Sequence, residues 1–126
     1  MEPLKKVFCV EDNKQIAILL RYQLEKLGYQ LCGIADNAPD AVAGIWMSKP
    51  DIVLVDIELN GKPEGLEVGN FLLSKTDIPF VYITGHDNPK ILKKARDTTS
   101  NGYLTKPFSH QDLKSVLDMA QRNGEV

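Results

Sequence analysis

Several side chains able to do chemistry each close a short apolar run. Glu11-Asp12 follows Val7-Phe8-Cys9-Val10, and Asp56 ends Ile52-Val53-Leu54-Val55. Thr84 ends Phe80-Val81-Tyr82-Ile83, and Lys106-Pro107 follows Tyr103-Leu104-Thr105. Brought together, Glu11, Asp12 and Asp56 repel one another unless something neutralises them or raises a pKa. Magnesium with Lys106 would balance the three charges. Magnesium takes oxygen ligands and uses one or two carboxylates plus phosphate oxygens, and the chain has no His/Cys cluster that would select zinc. A carboxylate beside the ion can be a nucleophile, attacking phosphorus to give an acyl phosphate. Such a transfer needs mainly positioning and stabilisation of the phosphoryl oxygens. The metal, Lys106 and the Thr84 hydroxyl can take one oxygen each. Asp56, between the other loci, is the best nucleophile.

Each residue also has an ordinary reading. One of Glu11 and Asp12 is expected to cap the following helix, where negative charge suits the dipole. Asp56 could start a turn, Thr84 could cap a loop, and a single lysine is usually a solvated surface group. Their convergence carries the argument, and the elements between them must supply it.

Residues 5–10 read as a first strand. Asp12 or Asn13 can cap a helix running to Leu27 and stopped by Gly28, with Ile16, Leu20, Leu24 and Leu27 as its core face. A weaker strand spans 30–35, followed by a helix over about 39–47 that Pro50 closes off. A third strand, 51–56, is apolar on both faces and therefore central. The loop 57–65 leads to a short helix ending near Leu73, and a fourth strand spans 78–83. Asn88-Pro89 is a cap followed by proline at the first helical position, which opens a fourth helix. Gly102 precedes a fifth strand, 103–105. Ser109-x-x-Asp112 resembles a capping box, and Leu113, Val116, Leu117 and Ala120 form the stripe of a last helix. Alternation with short connections implies an α/β, doubly wound, five-stranded parallel sheet with five helices. In such a sheet the strand ends emerge along one edge, where ligands bind.

A chain of 126 residues is expected to form one domain, 1–126. A net charge of -2 argues against a general nucleic-acid binder. Nothing approaches the length of a membrane span, and the few apolar residues between Lys5-Lys6 and Glu11-Asp12 are too short for a signal peptide. Cys9 and Cys32 lie in strand-like apolar runs and read as small core residues of a reducing cytosol. The expected location is the cytoplasm.

An acidic pair after strand one, Asp after strand three, Thr after strand four and Lys-Pro after strand five strongly resemble the receiver domain of two-component response regulators, over essentially the whole chain. The resemblance implies a CheY-like fold with strand order 2-1-3-4-5. It also implies that Asp56 accepts a phosphoryl group from a phosphohistidine on a histidine kinase or histidine phosphotransfer protein. Glu11 and Asp12 match the Mg2+-binding acids, with Asp56 beside them, and the Glu58 backbone carbonyl matches the position that completes the metal shell. Thr84 and Lys106 match the residues that contact the phosphoryl oxygens, and Tyr103 matches the switch aromatic that turns inward as the threonine moves. The Lys106-Pro107 bond is expected to be cis, which costs an X–Pro bond only about 0.5–1 kcal/mol. The implied output is a switched protein-interaction surface with an unidentified downstream protein, with no direct nucleic-acid or membrane partner. The only catalysis expected is the chain's own phosphorylation and dephosphorylation.

The loop from Asp56 to Gly65 is one residue longer than in the commonest receivers and resembles a subset with an Asp-Ile-x-Leu-x-Gly signature. Glu58, two residues after Asp56, and His86, two after Thr84, would flank the phosphoryl group and are candidates for setting its lifetime. Ile18, Leu19 and Tyr22 lie off the core stripe of the first helix, where they either cover a neighbouring helix or dock a phosphodonor. Met1 close before the first strand favours a free-standing chemotaxis-type regulator over a receiver within a longer chain. Rival readings remain. A haloacid-dehalogenase-type phosphatase needs a second Asp where Glu58 stands. A flavodoxin-like carrier needs a Ser/Thr/Gly loop where Glu11-Asp12-Asn13-Lys14 stands. A phosphorylation-independent binding module would not need Asp56, Thr84 and Lys106 intact.

Overall fold

Strand and helix alternate as the hydrophobic pattern requires. The computed structural model describes residues 4–85, 93 and 102–124. Its elements are β1 (Lys6–Val10), α1 (Lys14–Lys26), β2 (Gln30–Ala35), α2 (Ala38–Ser48), β3 (Ile52–Asp56), α3 (Gly65–Lys75), β4 (Phe80–Thr84), β5 (Tyr103–Thr105) and α4 (His110–Gly124). The strands form one parallel sheet in the order β2-β1-β3-β4-β5. Every residue of β3 and β4 is buried, as two-sided burial demands. Four helices lie among the described residues. The Asn88-Pro89 opening of the expected further helix lies outside them, and Lys93, the one described residue of that stretch, is helical.

Side chains alternate across the strands and feed two cores. On one face Phe8, Val10, Val53, Val55, Phe80 and Tyr82 pack against Ala41 and Ile45 of α2 and Val68 and Leu72 of α3. On the other, Val7, Cys9, Leu54, Val81 and Ile83 pack against Leu20 and Leu24 of α1 and Leu113 and Leu117 of α4. Cys9 belongs to this second core and the half-buried Cys32 to the first, so the sheet separates the two free thiols. Burial also pushes the Cys9 thiol up, keeping it protonated. Cys9 is a core residue, and Cys32 packs at the margin of the opposite core.

Close packing is visible at Phe8, whose ring fills a slot left by two glycines. A Cβ on Gly33 would come within 2.6 Å of that ring, and one on Gly44 within 2.7 Å. At α1 the cap is Asn13, whose side chain accepts the N–H groups of Gln15 and Ile16. Neither Glu11 nor Asp12 serves as the cap, which corrects that expectation and leaves both carboxylates for the sheet edge. Gly28 (φ 88) ends the helix. The capping box of α4 forms reciprocally: Asp112 N–H donates to Ser109 Oγ, and Ser109 N–H donates to Asp112 Oδ2, both at 3.0 Å. The fourth strand begins at Phe80 and not at 78, because Pro79 has no N–H to give the ladder. Helix α3 continues two residues past Leu73, to Lys75. Ile18, Leu19 and Tyr22 are exposed, by 69%, 48% and 57%, so covering a neighbouring helix is not their role among the described residues. No described helix is long and apolar enough to cross a membrane.

Candidate functional site

The C-terminal ends of β1, β3 and β5 deliver Glu11, Asp56 and Lys106 to one point. Lys106 Nζ donates to Asp56 Oδ2 at 2.7 Å and to Glu11 Oε1 and Oε2 at 3.3 and 3.4 Å. One carboxylate oxygen from each of Glu11, Asp12 and Asp56 lies within 4.8 Å of the other two. An open cleft of about 230 Å3 exposes this group, with Glu58, Gly85 and Lys106 among its walls. Glu11 and Asp56 are almost wholly buried, at 2% and 3% exposure. Asp12 is half-buried.

The electrostatics follow from that crowding. Burial raises the Glu11 carboxyl to about 8, helped by its hydrogen bond and charge interaction with Asp56 and opposed by Lys106. Burial pulls the Lys106 ammonium down, but the hydrogen bonds and charges of Asp56 and Glu11 outweigh it and raise it overall, so the amine stays charged. Among the described residues one cation thus stands amid three carboxyl groups, so the fully ionised group is short of positive charge. Its all-oxygen donors and partial burial fit a hard divalent ion such as magnesium.

The other expected residues lie at the same edge in different relations to the cleft. Glu58 lines it, and its N–H donates to Asp56 Oδ1 at 3.1 Å, leaving the two Asp56 oxygens in different environments. Thr84, buried at the end of β4, accepts the Lys106 N–H at its carbonyl (2.8 Å), which ties strand four to the lysine. The Lys106-Pro107 bond is cis. Tyr103 stands outside the cleft, 40% exposed, its ring centroid 6.3 Å from that of buried Tyr82. His86 lies outside the described residues.

One structure at the site went unread in the sequence. Leu59–Lys62 closes a small hairpin: Leu59 N–H donates to Lys62 O at 2.8 Å, and Lys62 N–H donates to Leu59 O at 3.1 Å. Its tip is Asn60 (φ 56) and Gly61 (φ 79), two consecutive left-handed residues. Asn-Gly is the strongest short hairpin signal in a sequence and would have located it. Asn60 N–H donates to Asp12 Oδ2 at 3.0 Å, and Asn60 Nδ2 donates to Asp36 O at 3.1 Å. Glu64 Oε1 accepts the Ala38 N–H at 2.9 Å and so caps α2 from another loop, a contact that no local pattern announces.

Residues 7–118 match the family described as response regulator receiver domain. The chain is 30% identical over 116 residues to the transcriptional regulatory protein PdtaR of Mycobacterium tuberculosis, covering 92% of this chain and 56% of that protein. It therefore spans little more than half the length of the curated relatives it matches. Among solved structures it superposes on the signal receiver domain of a modulated diguanylate cyclase from Desulfovibrio desulfuricans G20 with a TM-score of 0.89, 35% identity and 97% of each chain covered. The N-terminal domain of a response regulator/sensory box/GGDEF three-domain protein from Carboxydothermus hydrogenoformans gives a TM-score of 0.85 at 33% identity, covering 96% of this chain and 97% of that one.

Proposed function

This chain belongs to the response regulator receiver family of two-component systems, and from that premise we propose that Asp56 accepts a phosphoryl group from a phosphohistidine donor in a magnesium-dependent reaction. The observation that carries the proposal is the placement of Lys106 Nζ between the buried carboxyl groups of Asp56 and Glu11, on the wall of an open cleft. An Asp56 carboxylate oxygen bonds to phosphorus as the phosphorus–nitrogen bond to the donor imidazole breaks, and the nitrogen keeps the electron pair. Glu11, Asp12, Asp56 and the Glu58 carbonyl would hold the magnesium, which when bound offsets the carboxylate charge and draws charge from the phosphoryl oxygens. Lys106 and the Thr84 hydroxyl take the remaining phosphoryl oxygens.

Tyr103 is the switch aromatic in this reading: it is half-exposed, with its ring tilted beside that of buried Tyr82. Glu58 borders the cleft and, with His86, tunes the lifetime of the acyl phosphate by governing water. The exposed Ile18, Leu19 and Tyr22 receive the donor, a histidine kinase or histidine phosphotransfer protein. The output is a protein contact, and the chain turns over no other substrate. An inert binding module would have no need to bury this many carboxylates around one lysine, since buried charge is costly unless it is paired. Treatment of the acetyl-phosphate-labelled protein with hydroxylamine tests the linkage. An acyl phosphate is cleaved, whereas a serine or threonine ester that survives would refute Asp56 as the acceptor.

A further inference from the structure

The metal-site reading above underlies one further assignment, which concerns what holds Asp12. Glu11 and Asp56 are fixed by burial and by Lys106. Asp12 is half-exposed and has no part in capping α1, so a solvated carboxylate at this position would otherwise sample several rotamers. Its Oδ2 instead accepts the backbone N–H of Asn60, a residue 48 positions away.

That donor is itself held. Leu59, at the base of the hairpin, is fully buried, and Asn60 Nδ2 donates to Asp36 O at the end of β2. Further along the loop, Glu64 is tied to the first turn of α2. The left-handed Asn60-Gly61 turn is thus anchored on both sides to the β2–α2 junction and points one N–H at Asp12. We propose that Asn60 is a positioning residue for the cation: its anchored turn holds Asp12 Oδ2 and leaves Oδ1 oriented for the ion. Partners that orient ligands in this way set metal affinity as well as geometry.

The two ions of the test differ in what they demand. Magnesium requires near-ideal octahedral geometry, whereas calcium tolerates irregular coordination. Loosening Asp12 therefore lowers magnesium affinity more than calcium affinity, while a general loss of structure lowers both alike. Asn60→Gly is the informative variant, because glycine keeps the positive φ and the backbone N–H and removes only the tether to Asp36. Asn60→Ala removes the tether and adds left-handed strain. Calorimetric titration of the full chain with magnesium chloride and with calcium chloride is expected to show wild type binding magnesium. Asn60→Gly should bind it about tenfold more weakly, with a smaller loss for calcium, and Asn60→Ala more weakly still. If wild type binds magnesium and Asn60→Gly binds it within twofold as well, or loses both ions equally, the positioning role is overturned and the phosphoacceptor reading stands. If wild type binds no magnesium, both fall.

Discussion

Lys106 Nζ and Asp56 Oδ2 lie 2.7 Å apart although 50 residues separate them in the chain. The contact exists because β5 and β3 run parallel in one sheet and end on the same edge. A cation held there, against an almost fully buried carboxylate, is placed before any phosphoryl group arrives. Lys106→Met is expected to slow phosphorylation by acetyl phosphate about 10²-fold, the loss typical for one preorganised charge-stabilising donor. The check is a time course of phosphoryl incorporation for the variant and wild type side by side. Equal rates would remove Lys106 from the chemistry.

Glu11 makes the metal-free protein sensitive to alkali. Its folded carboxyl keeps its proton to about pH 8, while an ordinary glutamate releases it near 4.5, so between those values the folded state holds the extra proton. The stability linked to Glu11 is therefore full below 4.5 and is lost as pH rises through 8. Urea unfolding in chelator from pH 4 to 9 is expected to show this decline, Glu11→Gln should flatten it, and saturating magnesium should flatten it too. A wild-type slope that survives Glu11→Gln would place its origin elsewhere.

Gly69 of α3 tests the packing around Tyr82, the buried neighbour of Tyr103. A Cβ there would fall inside the van der Waals envelope of the Tyr82 hydroxyl. Alanine normally gains about 1 kcal/mol over glycine within a helix, but overpacking a filled core costs about 1–3 kcal/mol. Gly69→Ala should therefore destabilise the chain on balance, and adding Tyr82→Phe should recover part of the loss. Both shifts are readable by chemical denaturation, and a stabilised Gly69→Ala would mean the hydroxyl has room to move.

The exposed apolar face of α1 separates two kinds of donor. Ile18→Ala and Tyr22→Ala should each slow transfer from a phosphorylated histidine phosphotransfer protein about tenfold, the scale of losing one well-packed interface side chain. Labelling by acetyl phosphate, which needs no docking surface, should stay within twofold of wild type. Unchanged rates with both donors would retire α1 as the docking face.

The sequence made the site legible wherever burial was two-sided. β3 and β4 are buried throughout and apolar up to their last residues, so their ends, and with them Asp56 and Thr84, could be placed to within a residue or two. Parallel alternation then brought Lys106 and Glu11 to the same edge. The choice of cap for α1 was harder, since Asp12 and Asn13 are both good caps by type. A tertiary contact settles it: the Asn60 N–H engages Asp12, and Asn13 caps. The Glu64 contact with Ala38 joins residues 26 apart and has no local signature. The outward half-exposure of Tyr103 escaped notice for a different reason, because a three-residue strand is too short for alternation to assign its faces.

Intact-mass measurement of wild type and Asp56→Ala after incubation with acetyl phosphate, with magnesium and with chelator, tests the central claim most directly. A gain of one phosphoryl group only in wild type, and only with magnesium, is the predicted result. Equal labelling of Asp56→Ala, or no labelling of wild type in magnesium, would contradict it.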